Sequence, residues 1–419
     1  MADFNEPTPD GTLPHRGDKG AYKSTIANIK ALLNYYKIRC NYNEINKQQC
    51  VTLLQSTHNT HDLADNSNFA LLRSLLSLNN MPVSATDLIP FLMAENTTNP
   101  VTDYLKLNAQ KRIDNNDRTD YFQLLADSLV VADTDKAYRD LALKTWLYQC
   151  VAAADYAINS ACKGAAKFEL VLVLQGGQGI GKSTWLKNIL PSELREYFAE
   201  NEHLDPNDVN SLRRCLSSWI CEIGELDATF RKADMERLKA FLSQSVDKIR
   251  LPYDRAISNY KRRTSFAASV NVHEFLVDKT GNRRFLPLAL LGINRTVNDD
   301  LLGKVWGQIY HEYSTMFSAQ WWANDTLESM LIERHDNHTE ITSIEEKLAD
   351  VFNLTNLDDT YAKHYTVTKA LDACGVSNPT KQQIKEGKAF IEKRGFKQLQ
   401  NKGARGYMLN RNPIEHEYE

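Results

Sequence analysis

The stretch Phe168-Glu169-Leu170-Val171-Leu172-Val173-Leu174-Gln175-Gly176-Gly177-Gln178-Gly179-Ile180-Gly181-Lys182-Ser183-Thr184 decides how the chain is read. Its first half is a short apolar run of β-favouring residues, the pattern of a strand buried on both faces. The run stops abruptly in glycines, and helical spacing takes over from Ser183 to Leu190. Strand, then Gly176 to Ser183, then helix, matches G-x-x-x-x-G-K-[ST] in the structural context that the motif requires. Glycines let main-chain N–H groups curl around a phosphate while the following helix turns its positive end toward the anion. Lys182 is spaced to reach the β- and γ-phosphates, and the Ser183 hydroxyl to ligate Mg²⁺. Gly176, Gly177, Gln178, Gly179, Ile180, Gly181, Lys182, Ser183 and Thr184 are therefore the expected phosphate loop for ATP.

Working outward, Ser218-Trp219-Ile220-Cys221-Glu222-Ile223 and Thr264 to Val270 read as two more buried strands, with a helical stretch from Ala233 to Leu242 between them. Strand and helix alternating in this way predict an α/β sheet with crossover helices. Hydrolysis needs an acid at the end of a neighbouring strand to complete the metal site or orient water. Glu225 is expected at the strand end as the catalytic acid and Glu222, further inside, as its metal-side helper, with Asp227 a third candidate. For each, a salt-bridged structural acid is the competing reading. Asn271 closes the third strand, placed either to sense the γ-phosphate or to cap a loop. Arg283 and Arg284 follow a Gly-Asn turn and are candidates for a finger reaching into a neighbouring subunit, or else ordinary surface arginines.

Between the acids and Asn271 lies Lys248 to Arg263, with turn residues in its middle and alternating flanks. Arg250, Tyr253, Arg255, Tyr260, Lys261, Arg262 and Arg263 give it the basic and aromatic character of a hairpin that tracks a nucleic-acid backbone. A surface hairpin with solvated charges remains the alternative. Further on, Tyr361 to Arg411 holds eleven Lys/Arg against three Asp/Glu, an excess of +8 in a chain whose net charge is -3. Two predicted helices, Val367 to Ala373 and Thr380 to Lys393, followed by a Gly-containing basic hairpin, make a winged helix-turn-helix the expected layout. Such modules contact DNA or dock proteins.

The remaining sequence bounds these readings. At 419 residues, with 42% hydrophobic and 25% charged residues, the chain has room for two or three domains and an ordinary globular core. Seven scattered cysteines without a Cys-x-x-Cys pair argue against a disulfide framework or a zinc site, and no apolar run is long enough to span a bilayer. A cytoplasmic protein is expected. Residues 1–20 lack an apolar period and are expected to be flexible; 21–135 form a mixed, mostly helical domain, 136–335 the ATPase domain, and 336–419 the basic winged-helix-like domain. Asp133 with Asp135 mimics a metal pair but lacks further acidic or histidine partners at suitable spacing, and His335 and His338 with Asp336 sit in a polar stretch without apolar support for a metal site.

Taken together, these residues resemble the virulence-associated protein E family. The resemblance is carried by Ser24 to Ile29, Asn99-Pro100-Val101 with Tyr104-Leu105, Lys144 to Leu147, Gln178 to Thr184, Glu222, Glu225-Leu226, Leu238 to Leu242, Pro252-Tyr253, Gly281 to Phe285 and Val305-Trp306. It implies a AAA+-like core similar to superfamily 3 helicases, assembled as a hexameric ring with ATP between subunits. Asn271 then becomes the sensor, Arg283 or Arg284 the trans-acting finger, and the basic hairpin a projection into a channel around single-stranded DNA. Replication of a phage, plasmid or chromosomal island is the implied setting, with a separate primase or host replication proteins as partners, since no primase motif precedes the ATPase. A DNA-binding ATPase switch without unwinding activity, for instance in host defence, is the competing reading. A small-molecule kinase is opposed by the two basic modules.

Overall fold

Val171–Gln175 forms strand β1 of the computed structural model, with all five residues buried. Side chains alternate across a strand, and β1 therefore feeds two apolar cores: Leu172 and Leu174 enter one, Val171 and Val173 the other. Strands Phe198–Glu202 (β2), Ile220–Ile223 (β3), Ser265–Val270 (β4) and Phe285–Ala289 (β5) complete an all-parallel, five-stranded sheet in the order β5-β1-β4-β3-β2. The structure describes residues 4–17, 20–54, 64–81, 88–156, 167–205, 208–224, 232–249, 258–271, 282–294, 297–316, 320–338, 343–354, 362–377, 379–401 and 403–412.

A parallel sheet needs helices on both faces, because each crossover lays one there. Helices Lys136–Ala154, Lys182–Asn188 and Asp299–Thr315 bring Trp146, Trp185 and Trp306 to the first core. Val209–Leu216 and Lys232–Leu242 bring Leu216, Leu238 and Phe241 to the second. Three fully buried indoles donate to main-chain oxygens: Trp146 to Phe266 at 2.9 Å, Trp219 to Cys150 at 2.8 Å, and Trp306 to Ile189 at 2.8 Å. Large apolar bodies are thus buried with their donors satisfied, and truncating one to Ala costs about 3–5 kcal/mol.

Helices Pro100–Asp114 and Tyr121–Ala126 pack on Asp299–Thr315 and put Val101, Leu105, Phe122 and Leu125 in the same core as Leu172. Gly307 permits that approach, since an added Cβ would lie 2.7 Å from Asn108 O. The domain border expected at residue 135 therefore crosses one continuous core. A separate apolar cluster spans Leu13 to Met93, around helix Ile26–Tyr35 and the antiparallel strands Ile38–Asn43 and Gln49–Leu53. Residues 4–17, expected to be flexible, are docked on this cluster. Leu13 is buried, Thr8 N–H donates to Asn79 Oδ1 at 2.7 Å, and the Tyr36 hydroxyl donates to Glu6 O at 2.7 Å.

The chain divides into two compact units, Met1–Asn337 and His338–Glu419. Helix Asp325–His338 continues through the point where a linker was expected to begin, at Asp336. The second unit has its own core around helices Ser343–Val351, Val367–Ala373 and Lys381–Lys393. Strands Phe352–Asn353, Lys363–Tyr365 and Leu399–Asn401 all pair antiparallel with Ala404–Arg411. The two expected helices and hairpin are present, joined by a first helix, Ser343–Val351, and two short strands, Phe352–Asn353 and Lys363–Tyr365, that the sequence did not single out. No helix among the described residues is long and apolar enough to cross a membrane.

Candidate functional site

The carboxyl end of β1 opens directly into the glycine loop. Gly176 N–H donates to Val270 O at 3.3 Å, which holds the loop against the end of β4. Gly179 and Gly181 have φ of +82° and +98°, in the left-handed region that a Cβ penalises. Gly181 is the N-cap of helix Lys182–Asn188.

Lys182 is buried, and its ammonium donates to Gly176 O at 2.8 Å, Gly177 O at 2.9 Å and Asn271 Oδ1 at 2.8 Å. The loop lysine and the polar residue ending β4 are thereby joined. A second chain runs beneath them: Ser183 Oγ lies 3.1 Å from Ser269 Oγ, and Ser269 Oγ donates to Glu222 Oε1 at 2.8 Å. Helix, β4 and β3 are linked in series. Glu222 is 1% exposed, and its Oε2 has no hydrogen-bond partner among the described residues. A buried polar atom left in this way costs about 1–3 kcal/mol, a cost concentrated at functional sites. A serine hydroxyl beside a carboxylate is oxygen chemistry that suits Mg²⁺, which keeps several waters and uses one or two protein carboxylates.

Ser269 was missed in the sequence. The signal was present, because Ser269 and Asn271 are two residues apart and so share one face of a strand. Beside the loop, a cleft of about 90 Å³ is lined by Leu125, Gly181, Thr184, Trp185, Ile189 and Ile293, among others. Glu225, expected as the catalytic acid, lies outside the described residues, as does Asp227.

The two arginines separate. Arg284 Nε donates to Glu169 Oε2 at 3.0 Å and to Ser243 Oγ at 3.0 Å, at the amino end of β1. Seven residues of extended chain separate Glu169 from Gly176, roughly 20 Å at strand rise. Arg283 is exposed and makes no ion pair with a described residue. Within the chain Arg284 is therefore remote from the glycine loop, held by the sheet's opposite edge.

The basic hairpin is only partly what its charges suggested. Val246–Ile249 and Ser258–Lys261 pair antiparallel, with Lys248 and Lys261 exposed and Tyr260 half-buried. Arg250, Tyr253 and Arg255 lie outside the described residues. Arg262 and Arg263, expected to contact DNA, do not face solvent. Arg262 is 0% exposed, ion-paired with Asp247, stacked over Phe241 with its guanidinium carbon 4.1 Å from the ring centre, and donates to Phe241 O at 2.7 Å. Arg263 donates to Ala154 O at 2.6 Å and pairs with Glu44 at 2.8 Å. The alternation broke at Lys261, where the ribbon ends and the chain turns inward to begin β4. Lys47, buried nearby, donates to Leu216 O and to Ile45 O, and burial pushes its pKa down to about 8.

A family model described as the virulence-associated protein E-like domain matches residues 107–340. No curated protein gives a significant match. Among solved structures, the apo structure of the NrS-1 C-terminal region (305–718) is 12% identical, with 91% of this chain and 97% of that chain covered at a TM-score of 0.47. An A-form apo structure of that region is 14% identical over 55% of this chain and 54% of that chain, at a TM-score of 0.34. JCV helicase is 14% identical over 68% and 80%, at a TM-score of 0.26. At such identities and scores the likenesses show neither activity nor partner.

Proposed function

The chain belongs to the virulence-associated protein E-like family, and from that premise we propose that it is a P-loop ATPase of the AAA+/superfamily 3 helicase type, moving on DNA in replication of a phage, plasmid or chromosomal island. One observation carries the reading. Lys182–Asn271 and Ser183–Ser269–Glu222 draw together groups from one loop, one helix and two strand ends, at the carboxyl edge of a parallel sheet. Ligands of open α/β sheets bind outside that edge.

In the proposed cycle the loop N–H groups hold the phosphates, and Lys182 exchanges its carbonyl partners for the β- and γ-phosphate oxygens. Transition-state charge grows on those oxygens, so a fixed ammonium there lowers the barrier more than it strengthens binding. Ser183 and Glu222 would hold Mg²⁺, which when bound offsets charge on the same oxygens. Asn271, already in contact with Lys182, positions water or reports the γ-phosphate. Glu225 is the proposed acid that orients the attacking water. Of the two arginines, Arg283 is the proposed finger into a neighbouring subunit of a hexameric ring, because Arg284 is held by Glu169 and Ser243. Lys248 and Lys261 on the ribbon face the DNA strand in the channel.

Strand displacement on a forked duplex tests the reading. With ATP the protein separates the strands, and with a non-hydrolysable analogue it does not. Hydrolysis without displacement on any fork would instead support the DNA-binding ATPase switch.

A further inference from the structure

We propose that the His338–Glu419 unit is a duplex-DNA clamp, with helix Lys381–Lys393 in the major groove and the Leu399–Asn401/Ala404–Arg411 ribbon on the neighbouring backbone. The proposal is independent of the nucleotide chemistry above.

The helix has two faces. Gly387, Phe390 and Ile391 are buried, and a Cβ on Gly387 would lie 3.3 Å from both Leu348 Cδ1 and Leu371 Cδ2, so the helix is seated tightly on the two before it. Lys381, Lys385, Ala389 and Lys393 recur every four residues and are all exposed, forming one stripe on the outer face. The small Ala389 at its centre leaves no bulk to hold a groove away. Thirteen residues make a rod about 20 Å long and 10–12 Å across, and the major groove is about 12 Å wide. A capping box in which Thr380 and Gln383 bond each other's main chains fixes where that rod begins.

The ribbon supplies the second contact. Leu399, Gln400 and Asn401 are all exposed, so this strand stands away from the unit's core, and Lys397 and Arg405 are exposed beside it. Acids are outnumbered there: between Tyr361 and Arg411 three stand against eleven Lys/Arg, and one of the three, Glu392, accepts from the Tyr407 hydroxyl at 2.8 Å. An exposed basic helix next to a basic ribbon is the footprint of a phosphate backbone on both sides of a groove.

Duplex is favoured over single strand by what the surface lacks. Single-strand binders stack bases on exposed aromatic rings. Among the described residues of this unit Phe352, Phe390, Phe396 and Tyr407 are buried in its core, and the half-buried Tyr365 has its ring edge-on to Phe352 at 4.9 Å.

The test uses the full-length chain without nucleotide, titrated against a blunt 20-base-pair duplex and an equal-length single strand over a range of salt. The variant K381A/K385A/K393A/R405A, which changes exposed side chains alone, is compared with the charge-matched K23A/K30A/K106A/K111A. The first is expected to weaken duplex binding and to lower the slope of log affinity against log salt by about three to four, near 0.9 for each phosphate no longer neutralised; the second leaves the slope in place. Ala389→Glu, which removes no lysine, weakens duplex binding as well. An unchanged slope in the first variant, equal weakening by both quadruple variants, or weakening confined to the single strand overturns the proposal. Intact duplex affinity in Ala389→Glu also overturns it and leaves the basic face to an acidic protein partner.

Discussion

The carboxyl edge of the sheet and the base of the Val246–Lys261 ribbon both carry cations next to acids, yet they use them in opposite ways. At the sheet edge the hydrogen bonds that the described residues make to the charged groups come from neutral ones: Lys182 bonds main-chain and amide oxygens, and Glu222 a serine. At the ribbon base the charges are spent on each other, Arg262 on Asp247 and Arg263 on Glu44. A group lightly held by neutral partners can transfer its bonds to a ligand. A buried ion pair cannot open without stranding a charge in low dielectric. The contrast separates chemistry from architecture among residues of one type.

The largest effect should come from attacking the architecture. Arg262→Ala leaves Asp247 buried without its cation, and unfolding in urea should show a loss of about 3–5 kcal/mol. A loss under about 1 kcal/mol, the range of an exposed pair, would mean that the ribbon base is not what holds this part of the fold. Next, Lys182→Ala should slow steady-state ATP hydrolysis by about 10²–10³-fold with the melting temperature nearly unchanged, because the side chain sits at the sheet edge and its removal takes no volume from either apolar core. A coincident collapse of stability would erase the distinction between the two regions. Smaller again is Lys261→Ala, at the exposed end of the ribbon. Stability should stay within about 0.5 kcal/mol, while the salt slope of single-strand binding falls by about one. Arg262→Ala and Lys261→Ala, adjacent in sequence, should thus fail in different assays.

A separate effect is a pH dependence. Lys47 has its pKa lowered from 10.5 to about 8 by burial. Between those values the unfolded chain binds a proton that the folded chain does not, so stability rises as pH goes from about 8 toward 10.5. Urea midpoints at the two ends should show that rise in the wild type relative to Lys47→Met, in which it is absent. Parallel curves for the two proteins would show that this ammonium does not titrate within the fold.

The glycine loop, β1, β3 and β4 were legible because local pattern and tertiary role agree there: apolar runs must be buried on both faces, and a turn of glycines before Lys-Ser has few other uses. Ser269 was legible in principle through its two-residue spacing from Asn271. The fates of Arg262 and Arg263 were not. Charge in a sequence gives a sign, and whether a side chain meets solvent or a carboxylate depends on Asp247, Glu44 and the main chain of Ala154, which only the fold brings near. Residues 4–17 were misjudged for a related reason. They carry little apolar pattern of their own and are held by hydrogen bonds to Tyr36 and Asn79. The continuous core across residue 135 depended on the packing of Gly307 against Asn108, two positions far apart in sequence.

The central claim is that the Lys182, Ser183 and Glu222 cluster binds and cleaves a nucleoside triphosphate. It is tested most directly by measuring, side by side, retention of radiolabelled ATP and magnesium-dependent phosphate release by the purified wild type and Glu222→Gln. The account predicts that both retain ATP, that the wild type releases phosphate, and that the neutral isostere releases it far more slowly. A wild type that neither retains nor cleaves ATP, with magnesium and DNA supplied, would contradict it.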